Sequence, residues 1–128
     1  MNILVEISPA ELIDKLTILE IKLELIKDEG KCANVKREYS LLISAYQATI
    51  VETEPLRELT STLKRINREL WDIEDNIRAE ERAKSFGARF IELARSVYRT
   101  NDRRAAVKRQ INAMLNSPIP EEKSYADY

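Results

Sequence analysis

Apolar residues along the chain recur at helical spacing and never alternate for long. Leu12, Leu16, Leu19, Leu23 and Ile26 follow one another at steps of four and three, and Ile13, Ile18, Ile21 and Leu25 widen the stripe. A helix apolar on more than one side expects more than one neighbour. Val35, Tyr39, Leu42, Tyr46 and Thr49 repeat the rhythm less cleanly, whereas Leu56, Leu59, Leu63, Ile66, Leu70, Ile73 and Ile77 hold a strict heptad seam. A fourth seam runs through Phe90, Leu93, Val97, Val107, Ile111 and Met114, with Thr100 and Arg104 at the two positions between. That interruption is the one local conflict in the pattern.

Helix-breaking residues divide the chain at the ends of these stripes. Ser8 followed by Pro9 reads as an N-cap and first helical residue, and Gly30 after Asp28-Glu29 reads as a helix stop. Glu52-Thr53-Glu54-Pro55 ends one helix and opens the next, Ser85-Phe86-Gly87 supplies a turn, and Asn116-Ser117-Pro118-Ile119-Pro120 closes the helical part. The spacing predicts a single helical domain over 1–128, with helices at 9–28, 31–51, 55–84 and 87–115, an extended segment at 1–8 and a tail at 116–128. Ile3, Val5 and Ile7 on one side of the extended segment suit a short edge strand with no obvious partner.

The fold class expected is all-α, an antiparallel helical bundle of two unequal helical hairpins. Helices of about 20 and about 30 residues measure roughly 30 Å and 45 Å, so the longer pair overhangs the shorter. An exposed end of an apolar seam asks for a cover, and the expectation is a homodimer through the third and fourth helices. The alternative cover is the N-terminal segment or the tail of the same chain.

Composition removes whole classes of chemistry. The 128 residues contain no His, two Gly and one Cys, which excludes His-dependent nucleophile and zinc systems, the glycine-rich phosphate loops, and any internal disulfide. With 21 basic and 22 acidic side chains, net charge -1, nothing favours a nucleic-acid backbone as partner. No apolar run approaches the roughly 20 residues of a membrane helix, and Met1 to Val5 is too short for a signal peptide core. The expectation is a cytoplasmic protein with no cofactor and no membrane partner.

Three polar groups invite a chemical reading. If the third helix folds on the fourth about a turn at 85–87, residues whose numbers sum to about 171 face each other. Asn67, Trp71, Glu74, Thr100, Asn101 and Arg104 then form one midsection band. A guanidinium beside amides and an indole makes an anion or carboxylate pocket, while an Arg104–Glu74 ion pair would instead fix bundle register. Lys15 and Glu20 on the first helix border its seam and are candidates to face the same band, or else lie on a solvated face. Glu69, Asp72 and Asp75 form an ExxDxxD run of the kind that holds magnesium in all-helical nucleotide pyrophosphohydrolases, with a surface salt-bridge row as the plainer reading. In the tail, Tyr125 and Tyr128 are candidate anchors for a protein partner or part of a frayed end.

The segments 11–22 (ELIDKLTILEIK), 70–75 (LWDIED), 98–104 (YRTNDRR) and 121–125 (EEKSY) resemble those of a family of short, uncharacterised bacterial and phage proteins. The resemblance spans nearly the whole chain and implies no substrate or mechanism. A looser similarity connects the polar band to all-helical chorismate mutases, which hold a dicarboxylate with Arg and Lys; Arg104, Lys15 and Glu20 are the residues of suitable type here, but no motif matches position by position and no role is carried over. The functional reading is therefore an interaction or assembly module that self-associates. The alternatives are a small anion-binding protein or enzyme centred on Arg104, and a magnesium-dependent pyrophosphohydrolase.

Overall fold

A computed structural model describes residues 1–128. It contains four helices, α1 (Pro9–Leu25), α2 (Glu29–Thr49), α3 (Glu54–Arg82) and α4 (Ala88–Met114), and no strand. The fold is an all-α bundle.

Local chemistry sets each boundary. Ser8 Oγ accepts from the Glu11 amide at 3.2 Å and Pro9 opens α1, as the sequence indicates. The second boundary differs from expectation. Gly30 is not a helix stop but lies in the first turn of α2, because Asp28 Oδ1 captures the Lys31 amide at 2.8 Å and acts as N-cap. α1 ends earlier, at Leu25, where Ile26 turns extended. Thr53 caps α3 through the Leu56 amide at 3.3 Å, ahead of Pro55.

The two long helices end in the same motif. After α3, Lys84 adopts φ 54° while its amide bonds the Glu81 carbonyl and the Ser85 amide bonds the Glu80 carbonyl. After α4, Asn116 at φ 54° and Ser117 repeat this with Ala113 and Asn112. Both are Schellman ends, closed by a Lys and an Asn where glycine is usual.

The helices form two unequal hairpins, α1–α2 and α3–α4, and α1 alone joins them. α1 packs against α2, α3 and α4, whereas α2 packs along α1 alone and α3 pairs with α4. α1 is thus the central helix, which explains its broad apolar face. Ala10 and Ile13 join Leu56, Leu63, Ile66, Val107 and Ile111 in the core, with Tyr46, Ile50, Leu59 and Leu115 packed against them. Leu12, Leu16 and Leu19 are buried outside that cluster. Because α2 has no other helix to touch, they form its seat. Val35 is the one buried residue of α2.

Burial is confined to one half of the long hairpin. Every buried residue of α3 lies between Leu56 and Asn67, and every buried residue of α4 between Thr100 and Asn112. From Arg68 to Arg99 none is buried. Residues 1–7 form no strand and are exposed, for the physical reason that no second strand exists to take their backbone hydrogen bonds.

Candidate functional site

The polar residues of the bundle converge on Asp14. Ala10, Asp14, Thr17 and Ile21 follow one another at steps of four, three and four, and each is at most 1% exposed. They form the stripe of α1 that faces the long hairpin. A carboxylate at that depth requires partners, and Arg104 and Asn67 supply them. Arg104 grips it with two nitrogens, Nε to Oδ1 at 3.1 Å and Nη2 to Oδ2. Asn67 Nδ2 donates to Asp14 Oδ1 at 2.8 Å and also to Thr17 Oγ1 at 2.9 Å, while Thr17 Oγ1 donates to the Asp14 carbonyl at 2.8 Å. Three helices are joined through one carboxylate.

A second cation extends this network toward the tail. Lys108 lies on α4 one turn beyond Arg104 and is buried, with Nζ 2.9 Å from Glu11, 3.3 Å from Glu121 and 3.9 Å from Asp14. Burial opposes the charge on Lys108. The hydrogen bond to Glu11 and the fields of Asp14, Glu11 and Glu121 outweigh it and hold the pKa above the ordinary lysine value. Arg104 follows the same pattern: burial works against its charge, and the bond to Asp14 with the nearby carboxylates raises it overall. Two cations thus face the carboxylates of Asp14, Glu11 and Glu121. The group carries no uncompensated positive charge to attract an anion.

The predicted midsection band is partly assembled. Asn67, Trp71, Glu74 and Arg104 line one open cleft of about 460 Å³, together with Ile18, Ile21, Leu70, Asp75 and Arg78. The cleft begins where α1 runs out over the hairpin. The expected Arg104–Glu74 pair is absent. Arg104 turns to Asp14, and Glu74 instead bonds Arg78 at 3.1 Å one turn along α3. A buried carboxylate on a third helix binds the guanidinium more strongly than a solvated one, which explains the exchange. Thr100 is buried in the hairpin and does not line the cleft, and the Asn101 carbonyl accepts from Lys123 of the tail at 3.3 Å.

The other candidates separate. Lys15 is exposed, and Glu20 forms an ion pair with Lys64 at 3.2 Å, so neither reaches the Arg104 band. Glu69 pairs with Arg103 at 2.7 Å and Asp72 with Arg68 at 3.4 Å, while Asp75 sits at the cleft. No group of three or more metal-ligating side chains comes together, and two of the three ExxDxxD carboxylates are engaged in surface salt bridges. The residues that matter most, Asp14 and Thr17, were visible as polar interruptions of an otherwise apolar α1 face.

The C-terminal tail folds along α4. Glu121 meets Lys108, Lys123 lies 3.8 Å from Asp102, and the Tyr128 ring packs edge-on to Tyr98 at 5.1 Å. A hydrogen bond to Asp102 raises the Tyr128 pKa. Tyr125 is exposed, with Lys123 5.7 Å from its ring centre. A groove of about 640 Å³ separates this strap from α4 at Asp102, Ala105 and Arg109.

No helix is long and apolar enough to cross a membrane. Residues 3–128 match the model of a protein family described as a family of unknown function, DUF6165. No curated protein and no solved structure matches the chain.

Proposed function

Because the chain belongs to the DUF6165 family, whose description assigns no function, we propose its role from geometry: an assembly module that self-associates through the distal half of the α3–α4 hairpin. One observation carries the reading. α1 ends at Leu25, and beyond its reach the heptad seam of Ile73, Ile77, Phe90, Leu93 and Val97 continues with no third helix over it. Two helices alone shield such a seam from the sides only, so each of these residues stays half-buried. A further helical layer completes the burial. The Arg104 network supports the same preference over an anion-binding role, since its two cations already face the carboxylates of Asp14, Glu11 and Glu121.

The test is the mass in solution at micromolar concentration. A dimer of the unaltered chain, reduced to a monomer by Ile77→Asp with helical circular dichroism unchanged, supports the reading. A monomer in both cases contradicts it.

A further inference from the structure

We propose that the C-terminal tail is a releasable strap, a latch that opens from α4 as one piece while the four-helix bundle stays folded. The inference is independent of self-association. It rests on how the tail is held.

Every polar tie between residues 118–128 and the bundle is made by a side chain of the tail. No backbone–backbone hydrogen bond involves these residues, and the Ile119 amide bonds only the Ser117 hydroxyl at 3.1 Å. Glu121 meets Lys108 at 3.3 Å, Lys123 lies 3.8 Å from Asp102 and donates to the Asn101 carbonyl at 3.3 Å, and Tyr128 bonds Asp102 and packs on Tyr98. Between these ties the groove of about 640 Å³ stays open, so the strap bridges α4 without filling the space beneath it. A segment held this way opens at less cost than the bundle unfolds.

Release also strands no buried charge. Only Glu121 meets a buried cation, and Lys108 keeps Glu11 at 2.9 Å and Asp14 at 3.9 Å when Glu121 leaves. Arg104 and Lys108 then face two carboxylates in place of three. Asp102, Lys123 and Tyr128 are already partly open to water, which takes up their hydrogen bonds.

Charge and the link draw the strap back. Residues 118–128 carry three acidic and one basic side chain, net -2, and Arg109, which lines the groove with Glu121 and Glu122, pairs with no carboxylate of the bundle. Pro118 and Pro120 stiffen the link to α4, so the open strap stays near its groove and recloses within the chain. Attraction between such partly exposed charges weakens with ionic strength, which makes salt the lever. Opening uncovers Tyr98, Asp102, Ala105 and Arg109 on one face of α4.

The test is NMR relaxation of the isotope-labelled full chain in sodium chloride from about 0.01 M to about 1 M. At low salt residues 121–128 are expected to tumble with the bundle. At high salt their closed-to-open ratio is expected to fall about tenfold, with the signals of α1 to α4 unchanged. Glu121→Gln and Tyr128→Ala are each expected to lower that ratio roughly two- to tenfold at low salt. A tail that stays ordered until the bundle unfolds overturns release, and a tail already free at low salt overturns docking. Variants that both keep the unaltered ratio overturn the ties assigned to Glu121 and Tyr128.

Discussion

The α3–α4 hairpin runs one heptad from end to end, but its two halves are in different physical situations. In the proximal half, α1 lies over the seam, and Leu56, Leu63, Ile66 and Ile111 are at most 2% exposed. The seam there is interrupted by Thr100 and Arg104 and flanked by Asn67 and Lys108, yet Arg104, Asn67 and Lys108 are tied down, because α1 brings Asp14 and Glu11 to meet them. In the distal half the seam is apolar throughout and lacks the covering helix. Sequence regularity and structural completeness therefore run in opposite directions. The less regular half is the finished one, since a buried polar residue persists only where a third element satisfies it.

The strongest way to break this contrast is to remove the carboxylate at its centre. Asp14→Ala leaves Arg104 and Lys108 without their deepest partner and is expected to cost about 3–5 kcal/mol in denaturant unfolding. A loss below about 1 kcal/mol would show that the network is not closed in solution. Next in size is a matched pair of seam truncations. Leu63→Ala in the proximal half is expected to cost about 3 kcal/mol of stability whatever the protein concentration. Ile73→Ala in the distal half is expected to cost clearly less in dilute solution, with its main effect on association. Equal losses in the dilute protein would erase the difference between the halves.

Alkaline titration sharpens the contrast through two groups of the finished half. Tyr46 is pushed up to about 12 by burial and by its hydrogen bond to Glu52, and the Lys108 pKa is also raised. Both folded-state values lie above those of the unfolded chain. Their contribution is thus fully present below about pH 10 and is lost as pH climbs through the folded values. The midpoint of thermal unfolding is expected to hold steady to about pH 10 and fall toward pH 12, with the fall reduced in Tyr46→Phe. The smallest expected effect belongs to the distal turn. Lys84 sits at φ 54°, where glycine is at ease, so Lys84→Gly is expected to stabilise the chain by up to about 1 kcal/mol in denaturant unfolding.

Periodicity and caps made most of this fold legible in the sequence. Ser8-Pro9 and Thr53-Glu54-Pro55 carry their signals locally, because a side-chain oxygen three residues before an amide is enough to start a helix. Gly30 misled because its backbone freedom suits a C-terminus, while the decisive group was the Asp28 carboxylate two residues earlier. The register argument about the turn at 85–87 brought Asn67, Trp71, Glu74 and Arg104 to one cleft. It failed on the partner of Arg104, since pairing two helices says nothing of a third. Asp14 belongs to α1, and its place opposite Arg104 depends on which stripe of a broadly apolar helix turns toward the long hairpin. Spacing alone does not choose between Leu12-Leu16-Leu19 and Ala10-Asp14-Thr17-Ile21. The buried polar pair on the second stripe is what chooses it, by requiring the donors that only α3 and α4 supply.

The central claim is that the distal half of the hairpin is completed by a second copy of the chain. Light scattering of the unaltered protein through a dilution series from high to low micromolar concentration measures it most directly. The account predicts a mass of twice the 14.8 kDa chain at the upper end, falling toward one chain on dilution. A mass of one chain across the whole series would contradict it.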